Sequence, residues 1–180
     1  MLLYILLGLA VIVVGFIAVV ATRPGDFRIT RSAAITAPPA IVFAQVNDLR
    51  KWQEFSPWAK MDPAAKNTYE GPATGVGAVF KWDGNKKVGA GIMTIIESRA
   101  NELVRFKLEF LQPYQATNQV DFIFKAEAAQ TVVTWNMAGK SNFVMKAMGL
   151  FMNFDEMIGG QFEAGLATLK ALTEAAAKKS

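Results

Sequence analysis

The chain holds neither histidine nor cysteine among its 180 residues. It therefore has no imidazole base, no thiolate nucleophile, and no imidazole or thiolate ligand for a metal. Proton transfer is left to carboxylates and phenols: Asp62, Glu70, Asp121, Asp155 and Glu156, with Tyr69 and Tyr114 as partners. Their settings argue against that work. Asp121 alternates with Val120 and Phe122 and is expected to face water, while Asp155 and Glu156 stand near a helix start, whose dipole stabilises negative charge. Inward polar positions are rarer. Asn118 shares parity with Val120 and Phe122, and Arg31 shares parity with Ile29 and Ala33. Either could orient the polar end of a bound molecule by hydrogen bonding, and exposure at a strand end explains both equally well.

The glycine pairs of Gly75-Val76-Gly77 and Gly89-Ala90-Gly91 do not complete a dinucleotide fingerprint and read as strand kinks or bulges. No Walker sequence, calcium loop or glycosylation sequon occurs. The balance of 19 basic against 15 acidic residues, a net +4, is too mild and dispersed to call for nucleic acid.

What remains is shape. Trp82, Met93, Phe106, Phe110, Phe122, Trp135, Phe154 and Met157 are large, soft side chains at inward positions, and together with Asn118 they form the candidate ligand-binding set. Periodicity alone favours ordinary core for such residues over cavity wall. Phe143 to Asn153 carries Met145, Met148 and Met152 beside Phe143, Leu150 and Phe151, more apolar surface than a closing helix needs. It reads as a lid, as a second membrane-contacting element, or as packing on the sheet rim.

The elements that must position these groups follow from period and punctuation. Phe27 to Ile35 has strand character, and Pro38-Pro39 stops it and starts a helix. Ile41, Val42, Val46 and Leu49 share a helical face, and a second short helix is expected towards Trp58. From residue 67 the period becomes two, with turns at Gly71-Pro72, Asp83-Gly84 and Asn101. Val76, Ala78, Phe80 and Trp82 are assigned to the buried face, as are Val104, Phe106, Leu108 and Phe110, then Val120, Phe122 and Phe124, then Val133, Trp135 and Met137. Phe154, Met157, Ile158, Phe162, Leu166, Leu169 and Leu172 follow helical spacing, so one long helix covers the apolar side of an antiparallel sheet.

Leu2 to Ala21 carries no charge and as a helix would span about 30 Å, the thickness of a bilayer core. We assign residues 1–22 to a transmembrane anchor and 23–180 to one ligand-binding domain. A cleaved signal peptide ending at Val19-Val20-Ala21 and a buried core helix are the competing readings. Arg23, Arg28 and Arg31 follow the run and no basic residue precedes it, which makes the protein single-pass with its domain in the cytoplasm.

The order of elements resembles the helix-grip fold. The chain is similar to START-like proteins of the polyketide cyclase/dehydrase and lipid-transport superfamily, also called SRPBCC, over roughly residues 26 to 175. The carriers are Ile35-Thr36-Ala37-Pro38-Pro39-Ala40-Ile41-Val42-Phe43, Asn47-Asp48, Trp52, Phe55-Ser56-Pro57-Trp58, Tyr69-Glu70-Gly71, Gly75-Val76-Gly77-Ala78, Val133-Thr134-Trp135 and Gly159-Gly160-Gln161-Phe162-Glu163. The resemblance implies an α+β fold, a curved antiparallel sheet of about seven strands around a long C-terminal helix. It also implies a ligand gap between the two. The expected function is binding of a hydrophobic small molecule or lipid near a membrane, with no cofactor and no metal. The alternatives are a cyclase or dehydratase using a carboxylate or tyrosine, and a membrane-tethered interaction module whose protein partner the sequence does not name.

Overall fold

The computed structural model describes residues 1–179. Helix α1 (Leu2–Ala21) leads by a short linker into strand β1 (Asp26–Ile35). Three short helices follow, α2 (Pro39–Val46), α3 (Trp52–Phe55) and α4 (Pro57–Met61). Then come β2 (Lys66–Glu70), β3 (Val79–Asp83), β4 (Ala90–Arg99), β5 (Leu103–Gln112), β6 (Ala116–Glu127) and β7 (Gln130–Lys140), and finally α5 (Phe143–Met148) and α6 (Phe154–Ala177). Proline opens both α2 and α4 at positions where the missing N–H costs nothing.

The strands form one seven-stranded antiparallel sheet in the order β1-β7-β6-β5-β4-β3-β2. Register shifts at Ala90/Gly91 and between Ile95 and Glu97 break the ladder of β4 with β5, and such bulges increase twist and let the sheet curl. Gly89-Ala90-Gly91 thus marks a bulge as expected. Gly75-Val76-Gly77 does not: it is a turn before β3, with Gly75 and Gly77 at φ +78° and +89°, and Val76 is exposed rather than inward.

Helix α6 lies across the concave face, running alongside β1. Arg31 holds its start: Nε donates to Glu163 Oε1 at 2.7 Å and Nη2 to Asp155 Oδ2 at 2.9 Å. Gly159 makes this crossing feasible, because a Cβ there would collide with the Arg31 guanidinium. At the other end Glu174 accepts from the Thr36 backbone N–H at 2.7 Å. Between these staples Phe162, Leu166 and Leu169 are buried on the sheet.

The convex face carries a polar ladder instead. Asp121 has the outward parity expected of it, yet its side chain is only 8% exposed. The reason is its neighbours. Arg105, opposite it on β5, donates Nε to Asp121 Oδ1 at 2.8 Å, and Gln119 Nε2 donates to the same carboxylate at 3.2 Å, so polar groups shield it from water. Asn136, its partner on β7, is likewise buried and accepts from the Thr30 hydroxyl at 2.9 Å.

Candidate functional site

Between the concave face and α6 the chain leaves a cavity of about 390 Å³. Its wall is almost entirely carbon, and its size falls within the usual range for small-molecule sites, about 300–1,000 Å³. Of the nine candidates, Trp82, Met93, Phe110, Asn118, Trp135 and Phe154 line it. Trp82 is fixed by its Nε1–H donating to the Val88 carbonyl at 3.1 Å, and its ring meets Phe110 edge-on.

Three of the nine candidates sit elsewhere. Phe106 and Phe122 are fully buried behind the cavity, because Trp52 of α3 inserts its ring 5.8 Å from each and closes that end. Met157 is half exposed and does not line the wall. The buried run Gly159, Phe162, Leu166, Leu169 sets the inward phase of α6, and Ile158 occupies the inward position in place of Met157. Trp52, Trp58, Leu108 and Met137 belong to the wall and were outside the candidate set. Leu108 and Met137 had the right strand parity. The two tryptophans depend on how α3 and α4 fold back, which no local period encodes.

Among the described residues two buried side-chain polar atoms have no hydrogen-bond partner, Asn118 Oδ1 and Trp135 Nε1. Asn118 is 7% exposed, and its Nδ2 faces only the Met137 sulfur at 4.0 Å. Gly139 stands directly across from it on β7, and a Cβ there would strike Asn118 Oδ1, so this glycine makes room for the amide. Trp135 stacks on Phe162 with ring centroids 4.4 Å apart, its benzo edge against Gly165 and its Nε1–H at the opposite end of the ring. Phe122 is the register partner of Trp135, so the two orphans lie four residues apart along the sheet, about 13 Å at about 3.3 Å per residue. Both atoms have essentially no accessible surface, so they are sealed in the packing behind the wall, Asn118 Oδ1 against Gly139, rather than presented to the chamber.

The remaining candidate chemistry is engaged elsewhere. Arg31 is consumed by Asp155 and Glu163 and does not line the cavity. Hydrogen bonding to Arg31 lowers the Asp155 pKa, so this carboxyl is a poor acid. Asp62 reaches the cavity edge, but Oδ2 accepts from the Asn85 backbone N–H at 2.6 Å and holds the β3–β4 turn. Glu70 pairs with Lys81 at 2.6 Å. Asn153 Oδ1 accepts from the Glu156 backbone N–H at 3.2 Å, an N-cap. Burial raises the Tyr69 phenol, which stacks on Phe80 outside the cavity wall. Tyr114 stands at the mouth, 63% exposed.

The cavity opens at one end of the sheet. There β1 and β6 begin, β5 and β7 end, and α5 presents Met145 and Met148 to the opening beside Phe154. The Met-rich segment therefore edges the mouth, and it also touches α1.

Residues 26–174 match the family described as polyketide cyclase / dehydrase and lipid transport. The chain belongs to that family. Comparison with curated proteins yields no significant match. Among solved structures, the Aha1 dimer from Colwellia psychrerythraea is 17% identical, with TM-score 0.59 over 82% of this chain and 96% of that one. The di-domain ARO/CYC StfQ from the steffimycin biosynthetic pathway is 10% identical, with TM-score 0.61 over 86% of this chain and 52% of that one. Major latex-like protein 151 from Panax ginseng is 13% identical, with TM-score 0.57 over 83% of this chain and 99% of that one. These likenesses establish the helix-grip, START-like SRPBCC fold. Helix α1 precedes the residues that match the polyketide cyclase/dehydrase and lipid-transport family, and it is long and apolar enough to cross a membrane.

Proposed function

We propose that the domain binds a hydrophobic small molecule or lipid in the cavity beneath α6, and that α1 anchors it to a membrane with the domain in the cytoplasm. The observation that carries the reading is an apolar chamber of about 390 Å³ that the chain's own side chains do not fill. Burial of apolar ligand surface, at about 25 cal/mol per Å², supplies the affinity. Trp82, Met93, Phe110, Trp135 and Phe154 make that surface. Arg23 and Arg28 beside α1 support the cytoplasmic orientation.

A cyclase would need a free acid or base over the bound molecule, and the carboxylates named above are tied to structural partners. A pure interaction module would have a filled interior. The test is to extract the full chain in mild detergent and identify co-purifying apolar molecules by mass spectrometry. Leu108→Trp places an indole in the middle of the chamber and should sharply reduce co-purification while leaving the circular dichroism spectrum unchanged. Equal ligand recovery from wild type and a folded Leu108→Trp variant would defeat the proposal.

A further inference from the structure

We propose that the mouth of the cavity is itself a membrane-docking surface: α5, the 149–153 turn and the β5–β6 hairpin enter the bilayer interface, so that the cavity opens onto lipid rather than water. The proposal rests on the anchor reading of α1 and goes beyond it, since an anchor alone would leave the domain free to tumble.

Three observations converge. First, the linker after α1 is short: Thr22 to Gly25 can reach only about 14 Å when extended. The last turn of α1 packs against α5, where Val20 is fully buried. The end of the sheet that carries the mouth is therefore the end held at the membrane. Second, that end gathers exposed large apolar side chains, Phe151 at 81%, Tyr114 at 63%, Phe143 at 49%, Leu111 at 48% and Met152 at 41%, whereas Val76, Ile96 and Ile123 are exposed at scattered positions elsewhere. An aromatic and Met-rich patch of this kind is costly in water and favourable at the headgroup boundary. Third, the same elements form the cavity wall from within, through Met145, Met148 and Tyr114. Inside and outside of the mouth are thus continuous apolar surface. Arg23, Lys86, Lys87, Lys140 and Lys146 at this end stand against Asp26, Asp62, Asp83 and Glu156, so charge is close to balanced and the apolar patch carries the docking.

The absence of native cysteine allows a direct test in the full chain. Single variants Phe151→Cys, Tyr114→Cys, Ile12→Cys and Ala100→Cys are labelled with an environment-sensitive fluorophore and reconstituted in phosphatidylcholine/phosphatidylserine nanodiscs containing nitroxide lipids. Ala100 lies in the β4–β5 hairpin at the far end of the sheet. The expected result is loss of most fluorescence at Ile12, Phe151 and Tyr114, and none at Ala100. Quenching at Ile12 with full fluorescence at Phe151 and Tyr114 would overturn the docking proposal and leave the anchor standing. Full fluorescence at Ile12 as well would overturn both. A Phe151 label that is exposed in nanodiscs but shielded in native membrane vesicles would assign the patch to a protein partner, against the proposal.

Discussion

The two ends of the cavity are built to opposite specifications. At the closed end Trp52, Phe55, Phe106, Phe122 and Trp135 interlock, with the Trp52 ring 4.9–5.8 Å from its four aromatic neighbours, and all five are almost completely buried. At the mouth Met145, Met148, Tyr114 and Phe154 leave space between them, and Asn118 holds an unpaired oxygen. Dense aromatic packing fixes the curvature of the sheet, while flexible thioethers tolerate guests of varied outline. Stability is concentrated at the end where the cavity stops, with Trp52 and Trp135 forming its floor. The mouth can then stay loose without unfolding the domain.

This division makes the closed end the place of largest expected loss. Phe122→Ala removes a ring that touches Trp52, Phe55, Phe106 and Trp135, and large-to-small changes at such sites cost about 3–5 kcal/mol. Denaturant melts of the full chain in detergent should show that loss. Met148→Ala at the mouth should cost less than about 1.5 kcal/mol, since its side chain is 37% exposed. Equal losses at the two sites would erase the distinction.

A smaller and opposite-signed effect is expected at Asn118. Its oxygen is buried without a partner, so Asn118→Leu relieves a desolvation penalty and should leave stability unchanged or raise it. The same change removes a polar side chain from the wall, where Ser56 is another buried polar residue, and should lower the share of recovered ligands that carry a polar group. Gly139→Ala should act in the same direction by displacing the amide. Comparing co-purified ligand from wild type, Asn118→Leu and Gly139→Ala measures this. Lower stability together with undiminished ligand would show that Asn118 serves packing alone.

The contrast also explains what could be read from the sequence. Strand parity is a local property, so the alternation of Val120, Phe122 and Phe124 assigned faces correctly, and Asn118 was found by its parity with them. The distinction between core and wall is not local. Phe106 and Phe110 share a face, yet Trp52 covers one and leaves the other open, and that depends on where α3 returns to the sheet. Asp121 failed for a related reason: parity put it outward, but exposure was decided by Arg105 and Gln119, whose side chains fold over it. Met157 lost its inward place by one residue of helical phase, set by the glycine that lets Arg31 pass.

The smallest expected effect concerns the two staples of α6, one near each end of the helix. Hydrogen bonding to Arg31 holds Asp155 below its ordinary value of 3.8, and the Thr36 backbone N–H holds Glu174 below 4.5. A carboxyl whose pKa is lowered by folding stabilises the fold fully above its unfolded value and loses that contribution as pH falls through the folded one. Stability should therefore be flat above about pH 5 and decline below it, with both staples releasing as protons bind. Asp155 is exposed, so solvent screening keeps its contribution modest, while Glu174 is partly covered, with a quarter of its side chain exposed. Asp155→Asn should flatten the acid limb and loosen the start of α6, where Phe154 and Ile158 flank the mouth, whereas Glu174→Gln should act at the far end. Hydrogen exchange across α6 at pH 4 and pH 7 distinguishes the two. Faster exchange at residues 154–160 in Asp155→Asn, with the aromatic end unchanged, would show that the mouth can open while the closed end stays packed.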